Sequence, residues 1–252
     1  MDKIEALAKI IYESRNIVFF GGAGVSTESG VPDFRSKDGL YNKPDVRFEG
    51  YSPEYLLSHT CLVNEPKVFF EFYRQKMDAR NVVPNFAHLF LAKLERLGKL
   101  KAVVTQNIDG LHQRAGSVNV LEIHGSTTEN YCISCGETYP ADFIFNCDKD
   151  IPTCPKCGGM VRCNVTLYEE LLPEKAVNRS INAISSCDTL IIGGTSLTVY
   201  PAASYVNFFK GENLVLINKD HVEAKFNAPN YLEINAPIGE VFKKADEILS
   251  VK

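Results

Sequence analysis

Four short runs of almost unbroken apolar residues punctuate the chain: Asn16–Phe20, Lys101–Thr105, Asp188–Ile192 and Asn213–Ile217. Apolar side chains at successive rather than alternate positions predict strands buried on both faces of a parallel sheet. Each run ends in small or polar residues. Gly21-Gly22-Ala23-Gly24 follows the first, Gln106-Asn107-Ile108-Asp109 the second, Gly193-Gly194-Thr195-Ser196 the third and Asn218-Lys219-Asp220 the fourth. Helical patterns occupy Lys3–Ser14, Asn85–Leu97, Pro173–Ser186, Ala202–Phe209 and Gly239–Val251. The alternation predicts an α/β fold, a doubly wound, Rossmann-like parallel sheet, whose ligands lie beyond the carboxyl ends of the strands.

Two stretches break the alternation. Residues 40–84 are aromatic, polar and turn-rich and read as a helical excursion; residues 127–165 carry cysteines and read as an insertion. The expected organisation is one domain over 1–252. Its large lobe takes residues about 1–39, 85–126 and 166–252, with the excursion and the insertion as a smaller module.

The insertion holds Cys132-x-x-Cys135 and Cys154-x-x-Cys157, two pairs about 18 residues apart, the spacing of a four-cysteine zinc ribbon. Four thiolates would close the coordination sphere, so the zinc is expected to be structural. The remaining Cys61, Cys147, Cys163 and Cys187 read as small buried apolar residues. No apolar run is long enough to span a bilayer, and the first helix carries acids and does not resemble a signal peptide. Paired thiols without such a segment point to a reducing, cytoplasmic setting.

A net charge of −4 argues against nucleic acid as the main partner. The ribbon itself carries Glu137, Asp142, Asp148 and Asp150 against Lys149 and Lys156, the wrong balance for a nucleic-acid zinc module.

Gly22-Ala23-Gly24 after an apolar strand suits a tight approach to a pyrophosphate. The third position of the usual dinucleotide pattern is Thr27 rather than glycine, and no acidic residue closes a second strand, so a hydride-transferring dehydrogenase fits poorly. Just beyond, Phe34 could exclude water and Arg35 could reach phosphate. Asn107 and Asp109, at a strand end, could bind an amide or a sugar hydroxyl, or could simply make an Asx turn. His124, in Leu121-Glu122-Ile123-His124-Gly125-Ser126, is a candidate general base; a structural histidine is the plainer alternative.

GAGVSTESGVPDFRS, TQNIDGLHQRAG, HGS, CxxC…CxxC and GTSLTVYPAA, in this order over about residues 5–245, resemble the sirtuin family of NAD-dependent protein deacylases. The resemblance implies NAD as co-substrate and an acylated-lysine peptide as partner. Ala23, Gly24 and Thr27 would hold the pyrophosphate, with Arg35 nearby and Phe34 guarding the ribose carbon. Gln106 and Asn107 would orient the ribose, with Asn107 in a catalytic role. Ile108 and Asp109 would seat the carboxamide; Thr195, Ser196, Asn218 and Ile238 would complete the cofactor site. His124 would take a proton from a ribose hydroxyl. Nicotinamide, free lysine and O-acyl-ADP-ribose would be the products. Transfer of ADP-ribose to a protein side chain is the alternative activity.

Where many family members read Arg-Pro-x-Val-Val-x-Phe-Gly-Glu, this chain reads Arg162-Cys163-Asn164-Val165-Thr166-Leu167-Tyr168-Glu169-Glu170. By the resemblance this segment pairs with the peptide by strand addition, through Val165, Thr166 and Tyr168, opposite Val199. Glu169, at the glycine position, is expected to favour a basic neighbour in the peptide. Family members that prefer acidic acyl chains use a Tyr-x-x-Arg pair; Tyr73 and Lys76 stand at that spacing here, and lysine lacks the bidentate fork of arginine. Acetyl or another neutral acyl group is expected as the group removed, and the enzyme is expected to be a monomer.

Overall fold

The computed structural model describes residues 2–33, 39–40, 45–224, 226 and 228–251. Its centre is a six-stranded sheet: β1 (Ile17–Gly21), β2 (Leu100–Thr105), β3 (Val120–Glu122), β7 (Thr189–Gly193), β8 (Asn213–Asn218) and β9 (Asn230–Asn235). Every pairing is parallel and the spatial order is β3-β2-β1-β7-β8-β9. The order therefore reverses between β1 and β7, and such a switch point opens a crevice at the carboxyl ends of the two strands.

The apolar runs split by parity. Ile17, Phe19, Val103, Ile191 and Val215 face one core, packed by α1 (Lys3–Glu13), α5 (Phe86–Arg96) and α9 (Ile238–Ser250). Val18, Phe20, Val104, Ile192 and Leu216 face the other, covered by α8 (Glu174–Ser186) and a 3-10 segment at Ala202–Phe208. A side chain such as Phe19 or Phe20, wholly buried, contributes about 1.5–3 kcal/mol through removal from water. That two-sided burial explains why these strands show no alternation in sequence.

The edge strands differ from the expectation. β3 is three residues long and overlaps the start of the stretch read as a histidine motif; β9, Asn-Tyr-Leu-Glu-Ile-Asn, is half exposed at the sheet edge and lacks a continuous apolar run. The segment expected to be helical to Phe209 is a 3-10 helix over Ala202–Phe208 rather than an α-helix.

A second, antiparallel sheet joins β4 (Gly125–Cys132), β5 (Thr138–Pro140) and β6 (Val161–Val165) in the order β5-β4-β6, followed locally by α7 (Asp142–Phe145). The excursion forms α2 (Pro53–Leu56), α3 (His59–Asn64) and α4 (Pro66–Lys76). The excursion and the cysteine insertion share one core: Leu56, Phe69, Phe70 and Tyr73 pack with Ile144, Cys163, Val165 and Leu167. Arg74 ties them further by donating to the carbonyls of Ile144 and Lys149. Two segments far apart in sequence thus build one module.

Candidate active site

A cleft of about 560 Å³ opens at the switch point. Its floor is assembled from strand ends. β1 delivers Ala23 and Gly24, β2 delivers Gln106, Asn107 and Ile108, the turn after β3 delivers His124, β7 delivers Thr195 and Ser196, and β8 delivers Asn218. The module contributes Tyr73, Met77, Val165, Thr166 and Tyr168, and Val199 closes the opposite side.

The glycines after β1 and β7 have a reason independent of any ligand. A Cβ on Gly24 would lie 2.8 Å from the Gly194 backbone, and the Gly24 amide donates to the Gly194 carbonyl at 2.8 Å. The two loops touch, so neither tolerates a side chain facing the other.

His124 is fixed from two directions. Its Nδ1 sits 3.0 Å from the Gln106 carbonyl, and its own carbonyl accepts from the Thr166 amide at 2.9 Å. A carbonyl only accepts, so Nδ1 carries the proton and Nε2 is left as the basic nitrogen. Burial pulls the imidazole pKa below its ordinary 6.5, partly opposed by the Gln106 bond, so the ring is neutral at pH 7. Gly125, next in the chain, has φ +73°, and a Cβ there would meet the Asn164 carbonyl at 2.1 Å. This glycine lets β6 close onto β4 beside the histidine.

Beneath the cleft lies a polar cluster. Asn107 donates to the Ser26 hydroxyl at 3.0 Å, and Ser26 donates to Asp109 at 2.7 Å; the other Asp109 oxygen accepts from the Leu111 amide at 2.9 Å. Burial pushes the Asp109 carboxyl up. His88 and His112 meet edge to face below, ring centroids 4.7 Å apart. Burial lowers His88 to about 4 and His112 to about 3. Ser26 and His88 were not singled out from the sequence. Ser26 sits within the first motif, but nothing local shows that it meets residues about 80 positions away.

The proposed site residues divide by position. Asp109 is buried under the cleft with both oxygens engaged, Thr27 is exposed beside it with its hydroxyl on the Gly24 carbonyl, and the Ile238 side chain is packed in the core below the sheet; none of the three lines the cleft. Phe34 and Arg35 lie outside the described residues. Lys76 pairs with Asp45 at 3.0 Å and does not line the cleft, whereas Tyr73 does.

The residues present suit both a bound nucleotide and zinc. The Gln106 side-chain amide nitrogen is buried with no partner among the described residues, a donor that a nucleotide oxygen would satisfy. The four cysteine sulfurs lie within 4.8 Å of one another; Cys132 and Cys157 are 3.5 Å apart, Cys135 and Cys154 3.7 Å. Tetrahedral zinc–thiolate bonds place sulfurs about 3.8 Å apart, so the set fits zinc without rearrangement. Cys61, Cys163 and Cys187 are buried as expected, while Cys147 is only half-buried; none joins the four.

The Sir2 family model matches residues 22–201. The chain belongs to the Sir2 family. Among curated relatives, it is 54% identical over 243 residues to the NAD-dependent protein deacetylase of Clostridium acetobutylicum, covering 96% of this chain and 98% of the relative. It is 56% identical over 245 residues to that of Clostridium perfringens, with the same coverage. Among solved structures, it resembles a Sir2 protein with deacetylated p53 peptide and 3'-O-acetyl ADP ribose, TM-score 0.87 at 34% identity over 98% of both chains. It also resembles a Sir2 complex with p53 peptide and NAD, TM-score 0.84 at 34% identity over both chains in full. The sirtuin fold, a Rossmann-like lobe with a smaller zinc-ribbon and helical module, is therefore shared along the whole chain.

Proposed function

We propose that this sirtuin is an NAD-dependent protein-lysine deacetylase. The carrying observation is the neutral His124, its Nδ1 fixed by Gln106, in a cleft built at the sheet's switch point. NAD supplies an electrophilic ribose carbon once neutral nicotinamide departs, and the acyl-lysine amide oxygen, a weak nucleophile, attacks there. The protein positions the partners and removes a proton. His124 Nε2 accepts it from a ribose hydroxyl, whose oxygen attacks the imidate carbon; the lysine amine then leaves and one water molecule is consumed, so that the products are nicotinamide, free lysine and O-acyl-ADP-ribose.

Ala23, Gly24 and Gln106 hold the pyrophosphate and ribose side, Asn107 and Ile108 the nicotinamide end, and Thr195, Ser196 and Asn218 the adenosine side. Val165, Thr166, Tyr168 and Val199 line the peptide channel. Zinc on Cys132, Cys135, Cys154 and Cys157 holds the ribbon. The 1–252 chain acts as one monomeric catalytic domain without nucleic acid. Four reduced ribbon cysteines fit a cytoplasmic setting, and no helix among the described residues is long and apolar enough to cross a membrane.

Mass spectrometry of the products from NAD plus an acetylated peptide tests the reading. Loss of the acetyl mass with appearance of O-acetyl-ADP-ribose supports it. A peptide that gains ADP-ribose and keeps its acetyl group overturns it in favour of ADP-ribosyl transfer.

A further inference from the structure

The two rims of the cleft carry apolar side chains left in water: Leu171 is 95% exposed on one side and Tyr200 73% on the other. A peptide lying between them would cover both. Glu169 stands on the first rim, immediately before Glu170 and Leu171.

Glu169 is unusual in three respects. It is not glycine, yet its φ is +75°, a conformation that an L-residue adopts only at a cost. It is held there by a clasp: one carboxylate oxygen accepts from the Thr60 amide at 2.9 Å and from the Thr60 hydroxyl at 2.7 Å. Finally, it makes no salt bridge among the described residues, whereas its neighbour Glu170 is paired with Arg162 and with His59. The Tyr168 backbone is also tied to the excursion, its amide donating to the Leu57 carbonyl at 3.0 Å and its carbonyl accepting from the His59 amide at 3.1 Å. The segment is therefore pinned on both sides of the strained residue. The Thr60 bonds hold the Glu169 carboxyl below its ordinary range, so the charge persists at neutral pH.

We infer that Glu169 is a specificity-determining residue: a fixed negative charge at the rim, without a salt-bridge partner among the described residues, that selects peptides carrying lysine or arginine within two residues of the acyl-lysine. This rests on the deacetylase reading. A clasped carboxylate acts where a freely rotating one would be averaged away, because the geometry is already set before the peptide arrives. The remaining carboxylate at this end, on Glu170, is neutralised and adds little.

The test uses the full chain, saturating NAD and acetyl-lysine peptides that differ only by lysine or glutamate at one flanking position, taken through each of the four positions. The wild type is expected to favour lysine in kcat/KM by roughly threefold to tenfold at low ionic strength for at least one position. The preference resides in KM rather than kcat and shrinks in high salt. Glu169→Gln and Glu169→Gly each abolish it; glycine suits φ +75° and guards against a folding failure of the first variant. Glu169→Asp at low salt restores part of it. Absence of any preference in the wild type, or its survival in both neutral variants, overturns the inference. Failure of the wild type to deacetylate any peptide instead overturns the deacetylase reading beneath it.

Discussion

The Nδ1 atom of His124 lies 3.0 Å from the main-chain oxygen of Gln106, and that contact decides which imidazole nitrogen is free for chemistry. Because burial lowers the pKa, the base is active above a value lower than 6.5 and is lost as pH falls through it. The kcat/KM profile should rise with pH on an acid limb centred below 6.5. His124→Ala should lower turnover by about 10²–10⁴-fold. NAD binding, followed by calorimetry, should persist in that variant, which separates lost chemistry from lost folding.

The ribbon has almost no apolar core of its own. Cys132, Cys154 and Val161 are its buried members, with Tyr139 and Phe143 against them. Chelating zinc, or Cys132→Ala, should therefore lower Tm by several degrees and increase proteolysis at residues 133–160. The remaining folded fraction should keep the ratio of acyl-lysine cleavage to nicotinamide release, since the metal does not touch the cleft.

His88 and His112 make the fold acid-sensitive. Above the unfolded value of about 6.5 both states are neutral and neither histidine has an effect. Below it the unfolded chain takes up protons that the buried rings refuse, down to about 4 for His88 and about 3 for His112. Stability should fall with decreasing pH across pH 6.5 to 4 by about 1.4 kcal/mol per unit for each ring. Urea unfolding of the wild type and of His112→Phe over that range checks the slope, which should be smaller by about 1.4 kcal/mol per pH unit in a variant that folds.

Gly125 permits the β4–β6 closure that carries His124. In Gly125→Ala the new methyl would meet the Asn164 carbonyl at 2.1 Å, at φ +73°. The variant should lose about 2–4 kcal/mol of stability and most of its turnover, read by thermal unfolding and by peptide assay.

Lys76 is held by Asp45, so the Tyr73–Lys76 spacing does not place a cation in the cleft. Acetyl-peptide should be turned over faster than succinyl-peptide, and Lys76→Ala should leave that order unchanged. A steady-state comparison of the two peptides checks it.

Much of the architecture was legible before any coordinates. The strands buried on both faces announce themselves as unbroken apolar runs, and each deposits its polar end at the same side of the sheet. The zinc set was legible too, because a CxxC turn brings its two sulfurs together locally. β9 was not, since half its residues face water and its pattern is that of an edge. The role of Ser26 is not legible either, because a serine in a glycine-rich turn looks the same whether or not Asn107 and Asp109 come to meet it.

The apolar runs thus determined the four central strands, the CxxC spacing the metal ligands, and the order of the motifs the family. Tertiary structure alone decided that Ile238 and Asp109 lie off the cleft surface, that Lys76 is taken by Asp45, and that the excursion and the ribbon share a core. The division has a physical origin. Backbone preference and hydrophobic periodicity are carried by neighbours within a few residues. A hydrogen bond or an ion pair between residues tens of positions apart depends on how whole elements dock, and no local pattern encodes that.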